Sequence, residues 1–260
     1  MITATNIRVA LNRRPILHGI DLTAEAGQMT CIVGPNGSGK TTLMRAMTGE
    51  VDYSGAVLLE GAELSAFSPA RLAERRAVLP QATPMAFPFT VFEVVRLGLT
   101  GREALVANAA QLPHLALAAV GLQGYEGRLF QQLSGGEQQR AHLARVLVQV
   151  WHPVQDGRAR WLFLDEPVSS LDIGHQLQIM RLARDFARRG GGVIAVMHDL
   201  NLTAMFADKV CLLAEGRKLA DGPPALVFAD DILSAAYGCA LRVSTPPPDG
   251  GVFILPQAAA

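Results

Sequence analysis

One stretch of nine residues limits what this chain can fold into more than any other, because it matches the phosphate-binding pattern G-x-x-x-x-G-K-[ST]. Its residues are Gly34, Pro35, Asn36, Gly37, Ser38, Gly39, Lys40, Thr41 and Thr42. The apolar run 29–33 before it predicts a buried strand, and the spacing of 41–48 after it predicts a helix that ends at Gly49. This strand–loop–helix unit predicts an α/β fold that binds a nucleotide. The alternative is a glycine-rich turn without a ligand.

Each residue type in this phosphate loop has a physical reason. Glycines let backbone N–H groups converge on oxyanions without a clash from Cβ. The helix that follows directs the positive end of its dipole at the phosphates. Lys40 is expected to reach the β- and γ-phosphates, and the Thr41 hydroxyl to ligate Mg²⁺.

The composition excludes several classes of protein. Lys plus Arg and Asp plus Glu number 23 each, so no basic surplus indicates a nucleic-acid partner. The N-terminal segment 1–15 lacks the apolar region of a signal peptide, and no apolar run approaches the about 18 residues that cross a bilayer. We expect a soluble cytoplasmic protein with three buried, unpaired thiols at Cys31, Cys211 and Cys239.

The predicted secondary structure changes character twice along the chain. Short strands on both sides of the phosphate loop give way to helical segments at 90–98, 102–120 and 135–150, after which strands and helices alternate again. This order predicts a nucleotide-binding core made of 1–81 and 154–260, with a helical lobe at 82–153 inserted into it. A β-hairpin is predicted in the tail, at 241–255.

Two acidic residues, Asp165 and Glu166, follow the apolar strand 161–164. Ligands of parallel sheets bind beyond the carboxyl ends of the strands, so both carboxylates are predicted to lie next to the phosphate loop. Adjacent residues of a strand point in different directions, which favours two separate roles. We predict that Asp165 holds Mg²⁺ and that Glu166 polarises the attacking water. The alternative is a solvated acidic pair.

A second glycine-containing stretch, Ser134, Gly135, Gly136 and Glu137, begins a predicted helix. Serine followed three residues later by glutamate fits a capping box, which is the purely structural explanation. Glycine destabilises a helix, however, and two of them in the first turn also allow an anion to approach bare N–H groups. The chain thus has two candidate phosphate-binding elements but only one loop that carries a lysine. We infer that a second copy of the chain explains why both are present. Each nucleotide then lies between one phosphate loop and the other copy's serine–glycine turn.

Three further polar residues are weaker candidates. His198 follows the strand 193–197 and is either a cap or packed residue or a γ-phosphate sensor that orients water, and Asp199 after it could cap the following helix. Gln81 follows another short strand and could ligate Mg²⁺ or position water through its amide. Asp172 precedes the helix at 173–189, for which it is most simply the N-cap.

In their order along the chain, these motifs resemble the motif set of ABC-transporter ATP-binding subunits, and the resemblance covers nearly the whole sequence. It implies a P-loop NTPase with a RecA-like core, an antiparallel β subdomain and a helical lobe, in which two subunits close head-to-tail over two ATP molecules with Mg²⁺. It assigns Gln81 to a loop coupled to the membrane subunit. It assigns a further set to action across the dimer interface, namely Ser134, Gly135, Gly136, Glu137 and Asp172.

More narrowly, the chain is similar to the ATPases of importers for iron complexes and cobalamin, and most of all to haem (hemin) importer subunits. The residues that carry this similarity are 89–95, 133–151, His175–Gln176 and 251–257. The resemblance implies ATP hydrolysis by a homodimer that drives haem uptake through a separate permease dimer, at the cytoplasmic face of a bacterial inner membrane. A periplasmic or surface haem-binding protein would act indirectly, without nucleic acid. Siderophore or cobalamin import, a soluble ABC ATPase without a transport role and a non-catalytic nucleotide-binding regulator stay open as alternatives.

Two residues depart from the family pattern. An aromatic residue that stacks on adenine usually precedes the phosphate loop, but Leu11 occupies that position here, so we expect weak selection of ATP over other purine triphosphates. Val168 stands where threonine is usual, with a mild effect expected. The apolar stretch 84–95 is the predicted docking surface for the permease, or else part of the core of the lobe.

Overall fold

The computed structural model describes residues 1–81, 85, 87–99 and 108–258. In chain order the strands are β1 (Ile2–Leu11), β2 (Arg14–Ala24), β3 (Met29–Val33), β4 (Ser54–Leu59), β5 (Ala62–Glu63), β6 (Arg76–Leu79), β7 (Val154–Gln155), β8 (Arg158–Ala159), β9 (Trp161–Asp165), β10 (Gly192–Val196), β11 (Lys209–Ala214) and β12 (Arg217–Gly222). The α-helices are α1 (Lys40–Met47), α2 (Pro69–Arg75), α3 (Val91–Arg96), α4 (Leu112–Ala119), α5 (Gly135–Gln149), α6 (Ile173–Arg188), α7 (Leu200–Phe206), α8 (Pro224–Val227) and α9 (Asp230–Tyr237).

The chain forms two compact units, one made of Met1–Phe67 and Ile194–Ala260 and the other of Ser68–Val193. The predicted helical lobe, 82–153, falls inside the second unit, and its separation from a core stays a prediction. Of the predicted helix 102–120, residues 102–107 lie outside the described part of the chain, while α4 occupies the later part. None of the described helices combines the length and the hydropathy needed to cross a membrane.

An antiparallel sheet occupies the N-terminal part of the first unit, with the strand order β2-β1-β4-β5. Alternating residues of β1 and β2 face its core, and Ile7 and Ile20, which pair across the two strands, are fully buried. This alternation of buried and exposed side chains is what the sequence predicts for strands with one solvated face.

A second sheet of the first unit carries the phosphate loop. Its strand order is β12-β11-β3-β10, with β11 and β3 parallel and β12 antiparallel to β11. All five residues of β3 are buried, as its continuous apolar run predicts. The loop leaves the carboxyl end of β3 and leads directly into α1, which is the strand–loop–helix unit predicted from the sequence.

The second unit contains the parallel pair β6 and β9, together with the helices that pack around α5. Leu79 of β6 pairs with Leu164 of β9, so both strands end at the same edge. Every residue of β9 is buried, and α3 and α4 both pack on α5. The segment 151–160 contains the short β-ribbon of β7 and β8.

Two sequence predictions about the C-terminal part of the chain are wrong. Residues 241–255 form no strand. Side chains of α9 accept the hydrogen bonds instead, Ser234 Oγ from the N–H of Leu241 at 2.9 Å and Asp230 Oδ1 from the N–H of Val243 at 2.7 Å. Prolines 246–248 also lack the N–H groups that a strand ladder needs.

The second of these wrong predictions concerns Cys239, which is exposed just beyond the C-terminal end of α9. Cys31 and Cys211 are buried in β3 and β11, as expected. Burial raises the pKa of the Cys211 thiol to about 12 and that of Cys31 further still. Both therefore behave as small apolar side chains.

Candidate nucleotide-binding site

The backbone of the phosphate loop needs glycine at two positions for two reasons at once. Gly34 and Gly39 have φ angles of +146° and +96°, which residues with a Cβ rarely adopt. A Cβ on Gly34 would overlap the carbonyl oxygen of Leu213, and one on Gly39 would lie 2.6 Å from the side chain of Leu17. The glycines thus shape the loop and let it pack tightly on β11 and β2.

Lys40 is the buried cation of this loop. Only 6% of the residue is exposed, and its Nζ donates hydrogen bonds to the carbonyl oxygens of Gly34 at 2.9 Å and Pro35 at 3.0 Å. These carbonyls stabilise an ammonium that burial alone would disfavour. They also hold the charge against the loop, where it can meet a bound phosphate.

Donors at the start of α1 complete the phosphate loop. No side chain caps this helix, whose N-cap is Gly39, so its positive end has no side-chain acceptor at that position. The hydroxyl oxygen of Ser38 is buried and makes no hydrogen bond within the described part of the chain. Thr41 and Thr42 are half-buried in the first turn. These groups suit an anion with several oxygens.

His198 lies at the same sheet edge as the phosphate loop. The N–H of Met197, just beyond β10, donates to the carbonyl of Ile32 in β3 at 3.0 Å, so the chain leaves the sheet beside the start of the loop. His198 itself is exposed, and is therefore not a packed core residue. Asp199 is the N-cap of α7, accepting from the N–H of Leu202 at 2.9 Å, as predicted.

In the second unit, Gln81, Asp165 and Glu166 emerge at the common edge of β6 and β9. Asp165 is only 3% exposed, whereas Gln81 is exposed. Glu166 has a φ of +52°, a left-handed conformation that is uncommon for a residue with a Cβ. The register of the two strands thus brings these three candidates to one edge, and a strained backbone marks one of them.

The capping box predicted at the start of α5 is present. Glu137 Oε2 accepts from the backbone N–H of Ser134 at 2.8 Å, and Ser134 Oγ accepts from the N–H of Glu137 at 3.4 Å. The N–H of Ser134 is the main reason why the pKa of Glu137 lies below its usual value. The structural explanation of Ser134 and Glu137 is therefore correct, and it is compatible with a second role.

Gly135 and Gly136, which lie between Ser134 and Glu137, differ in their surroundings. A Cβ on Gly136 would lie 2.9 Å from the carbonyl oxygen of Ser170 and 3.2 Å from the side chain of Leu171, so this position packs closely on the loop before α6. Apart from its chain neighbours and the nearby backbone of its own helix, a Cβ on Gly135 would meet no heavy atom within 4 Å among the described residues. Internal packing therefore explains Gly136 but gives no reason for Gly135.

Asp172 has the structural role that the sequence predicts. Its Oδ1 accepts from the backbone N–H of His175 at 2.9 Å, and the His175 ring Nδ1 lies 2.9 Å from the same carboxylate. The backbone bond is the main cause of its lowered pKa. Asp172 nevertheless keeps an exposed carboxylate at the end of the loop that touches Gly136.

Leu11 and Val168, the two departures from the family pattern, differ in exposure. Leu11 is 41% exposed at the end of β1, beside the turn into β2, and offers an aliphatic surface. Val168 is buried, which suits its two methyl groups. One contact escaped sequence reasoning altogether: Gln139 Nε2 donates to the backbone carbonyl of Glu166 at 2.7 Å. A polar residue on a helix carries no signal that reveals such a bond.

Together, the strand–loop–helix unit, the buried lysine and the uncapped helix define a P-loop nucleotide-binding protein. A family model described as "ABC transporter" matches residues 17–169, more than half of the chain. The chain belongs to this family, and the expected fold and ATPase class are confirmed.

Two relatives match the chain over nearly its whole length. The hemin import ATP-binding protein HmuV of Jannaschia sp. is 65% identical over 260 residues, which are the whole of this chain and 95% of that protein. The protein of the same name from Roseobacter denitrificans is 56% identical over 98% of this chain and 97% of its own length.

Solved structures show the same fold. The ATP-binding subunit of an ABC transporter is 18% identical, with a TM-score of 0.76 over 91% of this chain and 95% of that one. A bacterial Atm1-family ABC exporter with ATP bound is 27% identical, with a TM-score of 0.75 over 90% of this chain and 40% of the exporter.

Proposed function

We propose that this protein is the ATP-hydrolysing subunit of an ABC importer that takes up haem through a separate membrane permease. One observation supports the cargo above all: proteins that are 65% and 56% identical over nearly their whole length are hemin import ATP-binding proteins. The energy source follows from the family to which the chain belongs. The cargo never needs to touch this subunit, so the similarity of whole chains carries more weight here than any single side chain.

The chemistry of the phosphate loop follows from its donors. Backbone N–H groups of Gly37, Gly39 and Lys40 and the Ser38 hydroxyl would bind the phosphate oxygens, and the Lys40 ammonium would offset the charge on the β- and γ-phosphates. Pro35, Asn36, Thr41 and Thr42 belong to the same loop and first helical turn. Glu166 would accept a proton from the attacking water, and His198 would hold that water against the γ-phosphate.

Thr41, Gln81 and Asp165 would hold Mg²⁺. All three offer hard oxygen donors, and Asp165 is a buried carboxylate that gains from a cation. Within the ranges that the structure describes, no three His, Cys, Asp or Glu residues cluster as a self-sufficient metal site. Mg²⁺ takes few ligands from the protein and the rest from phosphate and water. When bound, the ion would neutralise charge on the phosphate oxygens.

A homodimer would complete each site. Ser134, Gly135, Gly136, Glu137 and Asp172 would face the nucleotide of the other copy. Gly135 supports this assignment, because internal packing gives no reason for glycine there, whereas an approaching phosphate does. The capping box would fix the orientation of the N–H groups that receive it.

The permease would dock on part of the stretch 84–95. Phe87 is 67% exposed and makes an edge-to-face contact with Phe89, with 6.1 Å between ring centroids. Val91, Val94 and Val95 are buried and belong to the core of their unit, so they do not contribute to this surface. Pro84 and Ala86 lie outside the described residues. Docking would place the protein at the cytoplasmic face of a bacterial inner membrane.

Reconstitution tests the cargo. Co-expressed with the permease of the Jannaschia importer, the protein is expected to co-purify with it and to hydrolyse ATP faster in proteoliposomes when a haem-loaded binding protein is added. The same experiment is run with the permease and binding protein of a siderophore importer and of a cobalamin importer, and stimulation in either of these instead would favour the alternative cargoes. Failure to associate with any of these three permeases would favour a soluble ABC ATPase without a transport role. The matched control is the same preparation with Lys40→Ala, which should bind the permease but not hydrolyse ATP.

A further inference from the structure

Gln139, on α5, makes a short hydrogen bond to the backbone of Glu166. Its Nε2 lies 2.7 Å from the Glu166 carbonyl oxygen, and the contact is partly buried. The other amide atom of Gln139, Oε1, is buried and has no hydrogen-bond partner among the described residues. The Glu166 carbonyl is therefore the hydrogen-bond partner in the described chain that fixes the orientation of this amide.

The backbone that receives this bond is strained. Glu166 has a φ of +52°, in the left-handed region where a Cβ is unfavourable, and such a conformation persists only where surrounding contacts stabilise it. Two other donors reach the same carbonyl at longer distances, the N–H of Ser169 at 3.4 Å and its hydroxyl at 3.3 Å. The amide of Gln139 makes the shortest of these three bonds, and it alone comes from another element of the fold.

The position of Gln139 on α5 relates its contact with Glu166 to the serine–glycine turn at the start of the same helix. It lies four residues after Gly135, so both residues share one face of the helix. The same helix touches the other end of the loop, where Gly136 packs against Ser170. The first two turns of α5 thus contact the loop 166–172 at both ends, and a shift of the serine–glycine turn would also displace the Glu166 carbonyl.

We propose that Gln139 is a positioning residue for Glu166. Its amide holds the left-handed backbone that aims the Glu166 carboxylate, and it links this carboxylate to the turn formed by Ser134, Gly135 and Gly136. This inference rests on the proposed function, in which Glu166 serves the chain's own nucleotide and the turn serves that of the partner. Closure of the turn on one ATP would then set the position of the base at the other ATP.

The test replaces the amide group of Gln139 with an apolar group and keeps the volume of the side chain. Gln139→Met is expected to lower kcat for ATP hydrolysis about tenfold and to leave KM for ATP within about twofold, since the phosphate loop is untouched. The matched control is Gln149→Met on the same helix. Gln149 Nε2 also donates to backbone carbonyls, those of Ala73 at 2.9 Å and Arg76 at 3.0 Å, but these lie away from Glu166. The control should keep the parent kcat, and both variants should lose similar thermal stability.

A second substitution guards against misfolding. Gln139→Asn keeps an amide but shortens the side chain by one methylene, so it should fold and still show the loss of kcat. A kcat equal to that of the parent in a folded Gln139→Met protein would overturn the inference, as would a fall in kcat matched by Gln149→Met. Glu166→Gln is measured alongside. If it abolishes turnover while Gln139→Met does not, this inference alone fails; if it keeps the parent turnover, the proposed role of Glu166 fails first.

Discussion

At the scale of single residues, glycine serves different purposes in the two candidate anion-binding elements. Gly34 and Gly39 are required by the fold, because the backbone conformation and the neighbouring β11 and β2 both exclude a Cβ. Gly135 has an ordinary conformation and open surroundings. A glycine without an internal reason is a better indicator of an external ligand than one that the fold itself requires.

Leu11 leads to a prediction about base selectivity. An aliphatic side chain forfeits part of the ~1–3 kcal/mol that stacking on a base can supply. Leu11→Tyr should therefore tighten ATP binding several-fold and change the ratio of ATP to GTP affinity, measured by titration with fluorescent analogues of both nucleotides. Leu115→Tyr, at an α4 position that is 49% exposed, controls for adding a surface aromatic. Unchanged nucleotide affinity in Leu11→Tyr would refute the idea that residue 11 contacts the base.

At the scale of elements, two helices begin with the same device. Thr90 and Glu93 form a capping box at α3, and Ser134 and Glu137 form one at α5, with backbone N–H to carboxylate distances of 2.7 Å and 2.8 Å. In both boxes this backbone bond is the main cause of a lowered glutamate pKa. Both helices have the same capping geometry, but only the start of α5 is a candidate ligand site. A capping box therefore does not by itself indicate that a helix binds a ligand.

These boxes predict how stability depends on pH. The folded pKa of each glutamate lies below the ordinary value of 4.5, so its contribution is fully present above 4.5 and is lost as the pH falls through the folded pKa. Glu93→Gln and Glu137→Gln should each flatten the fall in the free energy of unfolding below 4.5, measured by urea titration over a series of pH values. Glu74→Gln, on the exposed side of α2, controls for the loss of one charge. A slope equal to that of the parent in both capping variants would contradict the prediction.

At the scale of the whole molecule, the candidate residues fall into two sets that belong to different compact units. The phosphate loop and His198 lie in the unit of Met1–Phe67 and Ile194–Ala260, and the Ser134 turn, Asp165 and Glu166 lie in the unit of Ser68–Val193. Each set lies within its own unit, and the proposed hydrolysis of ATP calls on residues of both sets.

The dimer is tested with a variant that binds ATP but does not turn it over. Glu166→Gln with ATP and Mg²⁺ should elute as a dimer in size-exclusion chromatography, and the same protein with Lys40→Ala added should stay monomeric. Gly135→Ala in the Glu166→Gln background separates an effect on the dimer from an effect on folding. Alanine should leave thermal stability unchanged or raise it slightly, because its Cβ would lie in open space among the described residues and alanine favours a helix, yet it should weaken the dimer. A monomeric Glu166→Gln protein at saturating ATP would refute the head-to-tail arrangement.

Local patterns in the sequence were enough to predict much of this molecule. The phosphate loop, the capping residues Ser134, Asp172 and Asp199, and the buried strands β3 and β9 all follow from short-range rules, because backbone conformation, capping and burial periodicity are set by residues close together in the chain. The ABC family follows from the order of the motifs. These features do not depend on which distant segments meet.

Tertiary structure alone decided the features that rest on close approach between distant segments. The tail was predicted as a hairpin, but Ser234 and Asp230 of α9 bind its N–H groups, and no sequence pattern shows that these side chains are within reach. The bond from Gln139 to Glu166 joins residues 27 positions apart, and the packing of Gly136 on Ser170 is likewise a product of folding. The sequence by itself determined which candidate phosphate-binding groups this protein has. Tertiary packing determined which distant backbone and side-chain groups hold those candidates in place.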